Sequence, residues 1–380
     1  MRRMQRLSEC CDISMGQAPS GEAYNANGNG WPLIAGAGDF GDLYPNAKKY
    51  TTEASRLSKH GDIILGIRAT IGEKVIADGE YCLGRGVAGL RTKEGLDSRY
   101  LWHWLTHIKP ILATKAKGAT FKQVNKEDIG ELAISLPPLP EQRRIAAILD
   151  HADTLRAKRR EALAQLDSLT QSIFIDMFGD PLTNPHDTRV VRLSEITTRI
   201  TDGVHQKPNY TDEGVPFISV KDITTGLLKF DGCKYISLED HKKFTRRCKA
   251  EYLDILYTKV GATYGRPALV DTEREFSLYV SVCLIKPDRK LVDSHFLNAA
   301  LGTAAIKKQA DSRIKGIGVP DLHLDQIQNL LIPRPSMGKQ RLFAERVATI
   351  QNQKNQHQQS LSEMDSLFAS LQHRAFRGEL

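Results

Sequence analysis

The side chains whose type and spacing suit them to chemistry are cations and amides set among glycines. Five segments have this character: Arg68-Ala69-Thr70-Ile71-Gly72, Lys115 through Gln123, Asp202 through Tyr210, Lys259 through Arg266, and Arg313 through Gly318. Glycine lets a backbone approach a phosphate closely, and Arg, Lys, Gln and Asn match base edges in the major groove. The candidates for one DNA surface are Arg68, Thr70, Lys117, Thr120, Lys122 and Gln123. Those for a second are His205, Lys207, Asn209, Tyr210, Lys259, Thr263, Arg266, Arg313 and Lys315. Each segment alone also reads as an ordinary surface loop, and the run from His241 to Lys249 reads as a phosphate track or a solvated face.

Residues for catalysis are not found. Met337-Gly338-Lys339-Gln340 lacks the glycine spacing and the hydroxyl of a P-loop, and Gly28-Asn29-Gly30 and Gly36-Ala37-Gly38 do not sit at strand-to-helix turns. Histidines show no ligand spacing, so no metal is expected. Pairs such as Glu127-Asp128 and Glu239-Asp240 read as turn charges. No catalytic residue is assigned.

The elements that must position these loops come in two copies. Leu7-Ser8-Glu9 recurs as Leu193-Ser194-Glu195, Asp62-Ile63 as Asp254-Ile255, and Asp97-Ser98 as Asp293-Ser294. Ile129, Leu132, Ile134, Pro137, Gln142, Arg143 and Ala146 reappear as Ile327, Leu330, Ile332, Pro335, Gln340, Arg341 and Ala344. The offset grows in steps early and then stays fixed, so each copy is a variable globular part followed by a part of fixed length.

The fixed part reads as a long helix. From Glu141 no Pro or Gly intervenes before Gly179. Ile145, Ala152, Arg159, Leu166 and Ile173 fall at one heptad position, and Ile148, Leu155, Ala162 and Leu169 at the other. The second copy gives Phe343, Ile350, His357, Met364 and Leu371, with Arg346, Gln353, Ser360 and Leu367. Expected packing residues are therefore Ile145, Ile148, Leu155, Leu166, Leu169, Ile173, Ile350, Met364, Leu367 and Leu371. A pseudo-twofold relation would make the helices an antiparallel coiled coil; a helical hairpin within one domain is the alternative.

The globular parts read as α+β, with strands near residues 62–68, 74–77, 215–220 and 279–285 and an amphipathic helix over 98–115 capped by Asp97 or Ser98. The expected domains are 1–138, a helix over 139–180, a second globular domain over 181–336 and a second helix over 337–380. The 380 residues carry a net charge of +8, which suits a polyanion but does not require one. Six cysteines without a CxxC pair argue against a stapled secreted fold and a zinc ribbon. Neither an apolar leader core nor a run of about 18 apolar residues is present, so the expectation is a soluble, cytoplasmic protein that does not enter membranes.

The segment Pro137-Pro138-Leu139-Pro140-Glu141-Gln142-Arg143-Arg144-Ile145-Ala146-Ala147-Ile148-Leu149-Asp150 resembles the opening of the helix of type I restriction–modification specificity subunits. Thr201 through Tyr210, with Gly214-Val215-Pro216-Phe217-Ile218, resembles a frequent start of that family's target recognition domain. The order domain–helix–domain–helix is similar over essentially the whole chain. Pro335-Ser336-Met337-Gly338-Lys339-Gln340 departs from the family pattern, which bears on whether both helices grip a partner equally. The resemblance implies a non-catalytic subunit whose two recognition domains each read half of a bipartite, asymmetric site in double-stranded DNA, with the helices as ruler. It implies two methyltransferase subunits docked on this chain, and restriction subunits in the nuclease. Cofactors would belong to the complex: S-adenosylmethionine for methylation, ATP and magnesium for restriction. A specificity subunit serving a fused nuclease–methyltransferase and a structural coiled-coil adaptor are the alternatives.

Overall fold

Residues 3–118, 122–181, 183, 188–314 and 318–380 are described in a computed structural model of the chain, the side chain of Asp167 excepted. The chain divides into two units. Unit 1 is Met1–Arg160 with Gln359–Leu380, and unit 2 is Glu161–Gln358.

In chain order unit 1 contains β1 (Arg3–Arg6), α1 (Leu7–Cys10), β2 (Cys11–Met15), β3 (Tyr24–Asn25), β4 (Trp31–Ile34), β5 (Lys49–Thr51), β6 (Ile63–Gly66) and β7 (Lys74–Ile76). It continues with β8 (Cys82–Leu83), β9 (Val87–Thr92), α2 (Ser98–Thr114), α3 (Lys126–Gly130), β10 (Ala133–Leu136) and the first part of α4 (Leu139–Phe178). Its strands form sheets ordered β2-β9-β6-β7 and β3-β5-β4-β8 and the pair β1-β10. Strand β6 is an unbroken apolar run because it is buried throughout and flanked by β9 and β7. Helix α2 starts where the Asp97 carboxylate accepts the N–H groups of Arg99 and Tyr100, at 3.0 and 3.1 Å. Its face of Leu101, Trp104, Leu105, Ile108 and Leu112 enters the core.

Unit 2 repeats the plan with β11 (Val190–Arg192), β12 (Thr197–Asp202), β13 (Tyr210–Thr211), β14 (Val215–Ile218), β15 (Lys234–Ile236), α5 (Leu238–Thr245), β16 (Ile255–Thr258), β17 (Pro267–Leu269), β18 (Ser277–Leu278) and β19 (Val282–Pro287). Then follow α6 (Ser294–Leu301), α7 (Ala304–Asp311), α8 (Leu324–Gln328), β20 (Leu331–Pro333) and α9 (Met337–Arg377). The sheets are β12-β19-β16-β17, β13-β15-β14-β18 and β11-β20, strand for strand the topology of unit 1. Here α5 has no counterpart, and α6 with α7 stands in the place of α2.

A buried glutamine ties each long helix to its globular part. The Gln142 amide oxygen accepts the N–H of Asp97 at 2.9 Å, and its nitrogen donates to the carbonyls of Gly95 and Pro137. Gln340 does the same with the N–H of Asp293 at 2.8 Å and the carbonyl of Pro335. The repeated glutamine thus fixes where the helix leaves the globular part.

The long helices correct one part of the heptad assignment. In α4 the covered residues run Ile145, Leu149, Ala152, Arg156, Arg159, Leu163, Leu166, Thr170, Ile173 and Met177, and in α9 Phe343, Val347, Ile350, Lys354, His357, Leu361, Met364, Phe368, Leu371 and Ala375. The first heptad row is as expected, but the second lies four residues on, not three. Ile148 is half-buried, whereas Leu155, Leu169 and Leu367 are 42%, 39% and 58% exposed. Both i+3 and i+4 neighbours share a helix face, so a sequence repeat alone does not choose between them. Arg156 takes the inner place beside Leu155. Its guanidinium lies 4.2 Å from the centre of the Phe368 ring and 2.6 Å from the Asp365 carboxylate.

Within unit 1, Ile145, Ala146 and Leu149 share a core with Phe368 and Ala375. Within unit 2, Phe174 and Phe178 pack on Phe343 with ring centres 5.7 and 5.6 Å apart, and both meet Phe296. No described helix is long and apolar enough to cross a membrane.

Candidate nucleic-acid interface

In unit 1 the candidate residues are carried by two loops. The turn after β6 holds Arg68 and Thr70 and closes at Gly72, whose φ of +87° suits glycine alone and whose face is covered by Lys109. The second loop is pinned by reciprocal backbone bonds between Lys117 and Gln123, at 2.9 and 3.0 Å. Arg68, Thr70 and Lys122 line one cleft of about 730 Å³, together with Lys109, which is paired with Glu73. Lys122 and Gln123 are exposed. Lys117 is tied to Asp128 at 3.1 Å. The N–H of Asn125, and to a smaller degree the Lys117 ammonium, hold the Asp128 carboxyl below its ordinary range. Thr120 lies outside the described residues.

Unit 2 places its candidates around a buried carboxylate. Asp202 ends β12 and contacts Arg247, Lys259 at 3.5 Å and His205 at 3.4 Å. Lys259 also meets Asp321 at 3.5 Å and is only 5% exposed. The expectation that Lys259 touches DNA is therefore corrected: it is a buried charge held between two carboxylates, and its partners come from remote segments of sequence. At the corresponding places unit 1 has Met15 and Ile67, an apolar pair in its core. Arg313 is half-buried and bonds within its own unit. Its guanidinium donates to the carbonyls of Gln309 and Asn329, at 2.8 and 3.0 Å, and staples α7 to the loop before β20.

The remaining candidates of unit 2 face outward. His205, Lys207 and Asn209 are exposed, and Tyr210 is half-buried beneath the Lys234 ammonium, 4.0 Å from its ring centre. Arg266 is exposed and donates to the carbonyl of Thr224, and Thr263 is half-buried in the turn after β16. A cleft of about 340 Å³ brings His205 and Gln206 together with Lys243 and Arg247 above Phe244. Gly203 serves the fold, since a Cβ there would lie 2.1 Å from the carbonyl of Leu278. Lys315 lies outside the described residues.

Sequence reasoning passed over Arg85. It stands between Gly84 and Gly86, two positions where a Cβ would collide with the backbone of Ala35, and it borders the same turn as Arg68. An arginine framed by two glycines was the available signal. Arg247 was noted only as part of a charged run, because its partner Asp202 is distant in sequence. Among the described residues no group of His, Cys, Asp and Glu could hold a metal ion.

Comparison with known proteins agrees with this arrangement. Residues 3–165 and 185–363 each match the type I restriction modification DNA specificity domain. A putative type I restriction enzyme MjaX specificity subunit of Methanocaldococcus jannaschii is 36% identical over 162 residues, which is 42% of this chain and 38% of that relative's length. The Escherichia coli EcoBI specificity subunit is 25% identical over 84% of this chain and 73% of its own length. In fold, the S subunit of a type I restriction–modification system from M. genitalium aligns over 99% of this chain and 96% of its own, with a TM-score of 0.58 and 17% identity. A chain from a structure concerned with assembly and conformational transition of the type I system aligns over 100% and 98%, with a TM-score of 0.62 and 20% identity. With the domain matched twice over most of its length, the chain belongs to the type I restriction–modification DNA specificity family and is built from two mixed α/β repeats of its domain.

Proposed function

We propose that each unit reads one half of a bipartite, asymmetric site in double-stranded DNA. The observation that carries this is the internal comparison. The two units share one topology and both carry an arginine in the turn after the matching strands β6 and β16, Arg68 and Arg266, yet the loops otherwise differ: residues 16–23, the counterpart of the loop with His205 and Lys207, hold no cation. Equal scaffolds with unequal readers are what an asymmetric site requires. Arg68, Thr70, Lys117, Thr120, Lys122 and Gln123 serve one half. His205, Lys207, Asn209, Tyr210, Thr263, Arg266 and Arg313 serve the other, with Lys315.

The long helices act as the ruler between the halves. Helix α4 has 40 residues and α9 has 41, each about 60 Å at 1.5 Å per residue. In unit 1 the start of α4 packs with the end of α9, and in unit 2 the end of α4 packs with the start of α9, which supports an antiparallel pair. Two methyltransferase subunits dock on the helices, with the exposed Leu155, Leu169 and Leu367 as part of the surface they cover. The chain itself is non-catalytic. The complex uses S-adenosylmethionine, and restriction subunits add ATP- and magnesium-dependent cleavage.

The test is a footprint of the chain co-expressed with a methyltransferase subunit on its cognate duplex. Two protected patches separated by an unprotected spacer are expected. Inserting four residues after Leu163 is expected to change the permitted spacer or abolish binding; one continuous patch, or an unchanged spacer, contradicts the reading.

A further inference from the structure

Beside the cleft already described, unit 1 has a smaller trough of about 280 Å³ lined by the turn Ala35 to Gly38, by Arg68, Ala69 and Thr70, and by Arg85 and Gly86. Two arginines meet there with no carboxylate in the lining. The Arg68 Nε is buried without a hydrogen-bond partner, and Arg85 is exposed and has no ion-pair or hydrogen-bond partner among the described residues. A buried N–H left without an acceptor costs about 1–3 kcal/mol, so the site is complete only when an acceptor enters.

The glycines of the turn carry the second part of the argument. Gly84 and Gly86 are required by the fold, because a Cβ at either would strike the backbone of Ala35. Gly36 and Gly38 are not: an added Cβ would meet nothing within 4 Å, and neither has a positive φ. The turn itself is fixed without them, by the Asp39 carboxylate accepting the N–H of Ala35 at 2.9 Å. Unit 2 builds the corresponding turn one residue shorter, with Asp222 accepting the N–H of Ser219 at 2.8 Å, and there the places counted back from the carboxylate carry the side chains of Ser219 and Lys221. The fold therefore accepts side chains at this turn, and their absence in unit 1 leaves a bare surface next to two guanidinium groups.

We infer that this trough is where unit 1 receives a phosphate of the DNA backbone, with Arg68 and Arg85 neutralising it and Gly36 and Gly38 leaving room for the strand. The inference rests on the DNA-reading role proposed above. Planar guanidinium groups bond a phosphate through paired N–H donors, and a phosphate contact positions the unit without itself selecting a sequence.

The experiment measures binding of the complex of this chain with its methyltransferase subunit to a duplex bearing the recognised motif and to an unrelated duplex, over a range of salt. Arg85→Ala is expected to weaken both by about tenfold, a loss typical of one charge-assisted contact. It is also expected to lower the slope of log K against log salt by about 0.9. Gly38→Leu is expected to weaken both duplexes alike while leaving the thermal midpoint where it was. The methylated motif stays the same in both variants. A motif changed in one half would mean that Arg85 reads a base, and unaltered affinity would mean that the trough is not a contact; either overturns the inference. If the unsubstituted complex itself shows no preference for any motif, the proposed function falls as well. If it does and the variants match it, only the present inference fails.

Discussion

Three buried polar residues decide the local order of the units, and each acts through partners distant in sequence. Gln142 is fully buried and satisfies one backbone donor and two acceptors. Gln142→Ala leaves all three groups unpaired, so a loss of about 2–4 kcal/mol in chemical unfolding of unit 1 is expected. His103 is buried between α2 and α4, with its Nε2 2.8 Å from Asp150 and its ring near Phe368. Burial lowers its pKa, an effect the Asp150 carboxylate only partly opposes. The unfolded chain then takes up a proton as pH falls below the ordinary histidine value, whereas the folded chain resists it. Stability therefore falls as pH drops below about 6.5, by at most about 1.4 kcal/mol per unit for this one proton. Unfolding of wild type and His103→Asn between pH 7.5 and 5.5 checks it: the variant's profile is flatter. Asp202 is the third such residue. Its motif was legible in the sequence, but its role as counter-ion to Lys259 and Arg247 was not. Burial and pairing are tertiary facts, and for Lys259 they turn a candidate reader into an internal strut.

At the scale of elements, the long helices were legible and their inner face only half so. The absence of Pro and Gly from 141 to 178 set the length, and the heptad repeat set one row of the seam. The choice between i+3 and i+4 for the other row went wrong because Leu155 and Leu169 are more apolar than Arg156 and Thr170, and hydrophobicity alone ranks them inside. A long arginine stem lying on an aromatic ring reverses that order. The consequence separates two kinds of substitution. Phe368→Ala empties a core place and is expected to cost about 3–5 kcal/mol in thermal or chemical unfolding. Leu155→Glu changes an exposed place and is expected to stay within about 0.5 kcal/mol of wild type, while weakening co-purification with a methyltransferase subunit. Equal destabilisation by both would restore the original seam. Short strands were legible where an apolar run is largely buried, as in β6, β7, β14 and β19. Two-residue strands such as β3 and β8 carry too little pattern to be read.

At the scale of the whole molecule, unit 1 is completed by the last 22 residues, Gln359–Leu380, with Phe368, Ala375, Phe376 and Leu380 in or against its core. Ending the chain at Gln358 is expected to expose α2 to hydrogen exchange while α6 in unit 2 stays protected. Equal protection in both units would show that unit 1 folds without its C-terminal segment. The two copies were readable from repeated residues, because insertions accumulate in loops and not along a packed helix. What each unit reads on DNA was not, since it follows from loop geometry and not from residue type. The central claim is tested most directly by mapping methylated adenine in a genome carrying this gene and again after its deletion. Loss of one bipartite, asymmetric motif is the predicted result. A map that keeps every motif, in cells where the chain is made together with its methyltransferase subunit, would contradict the account.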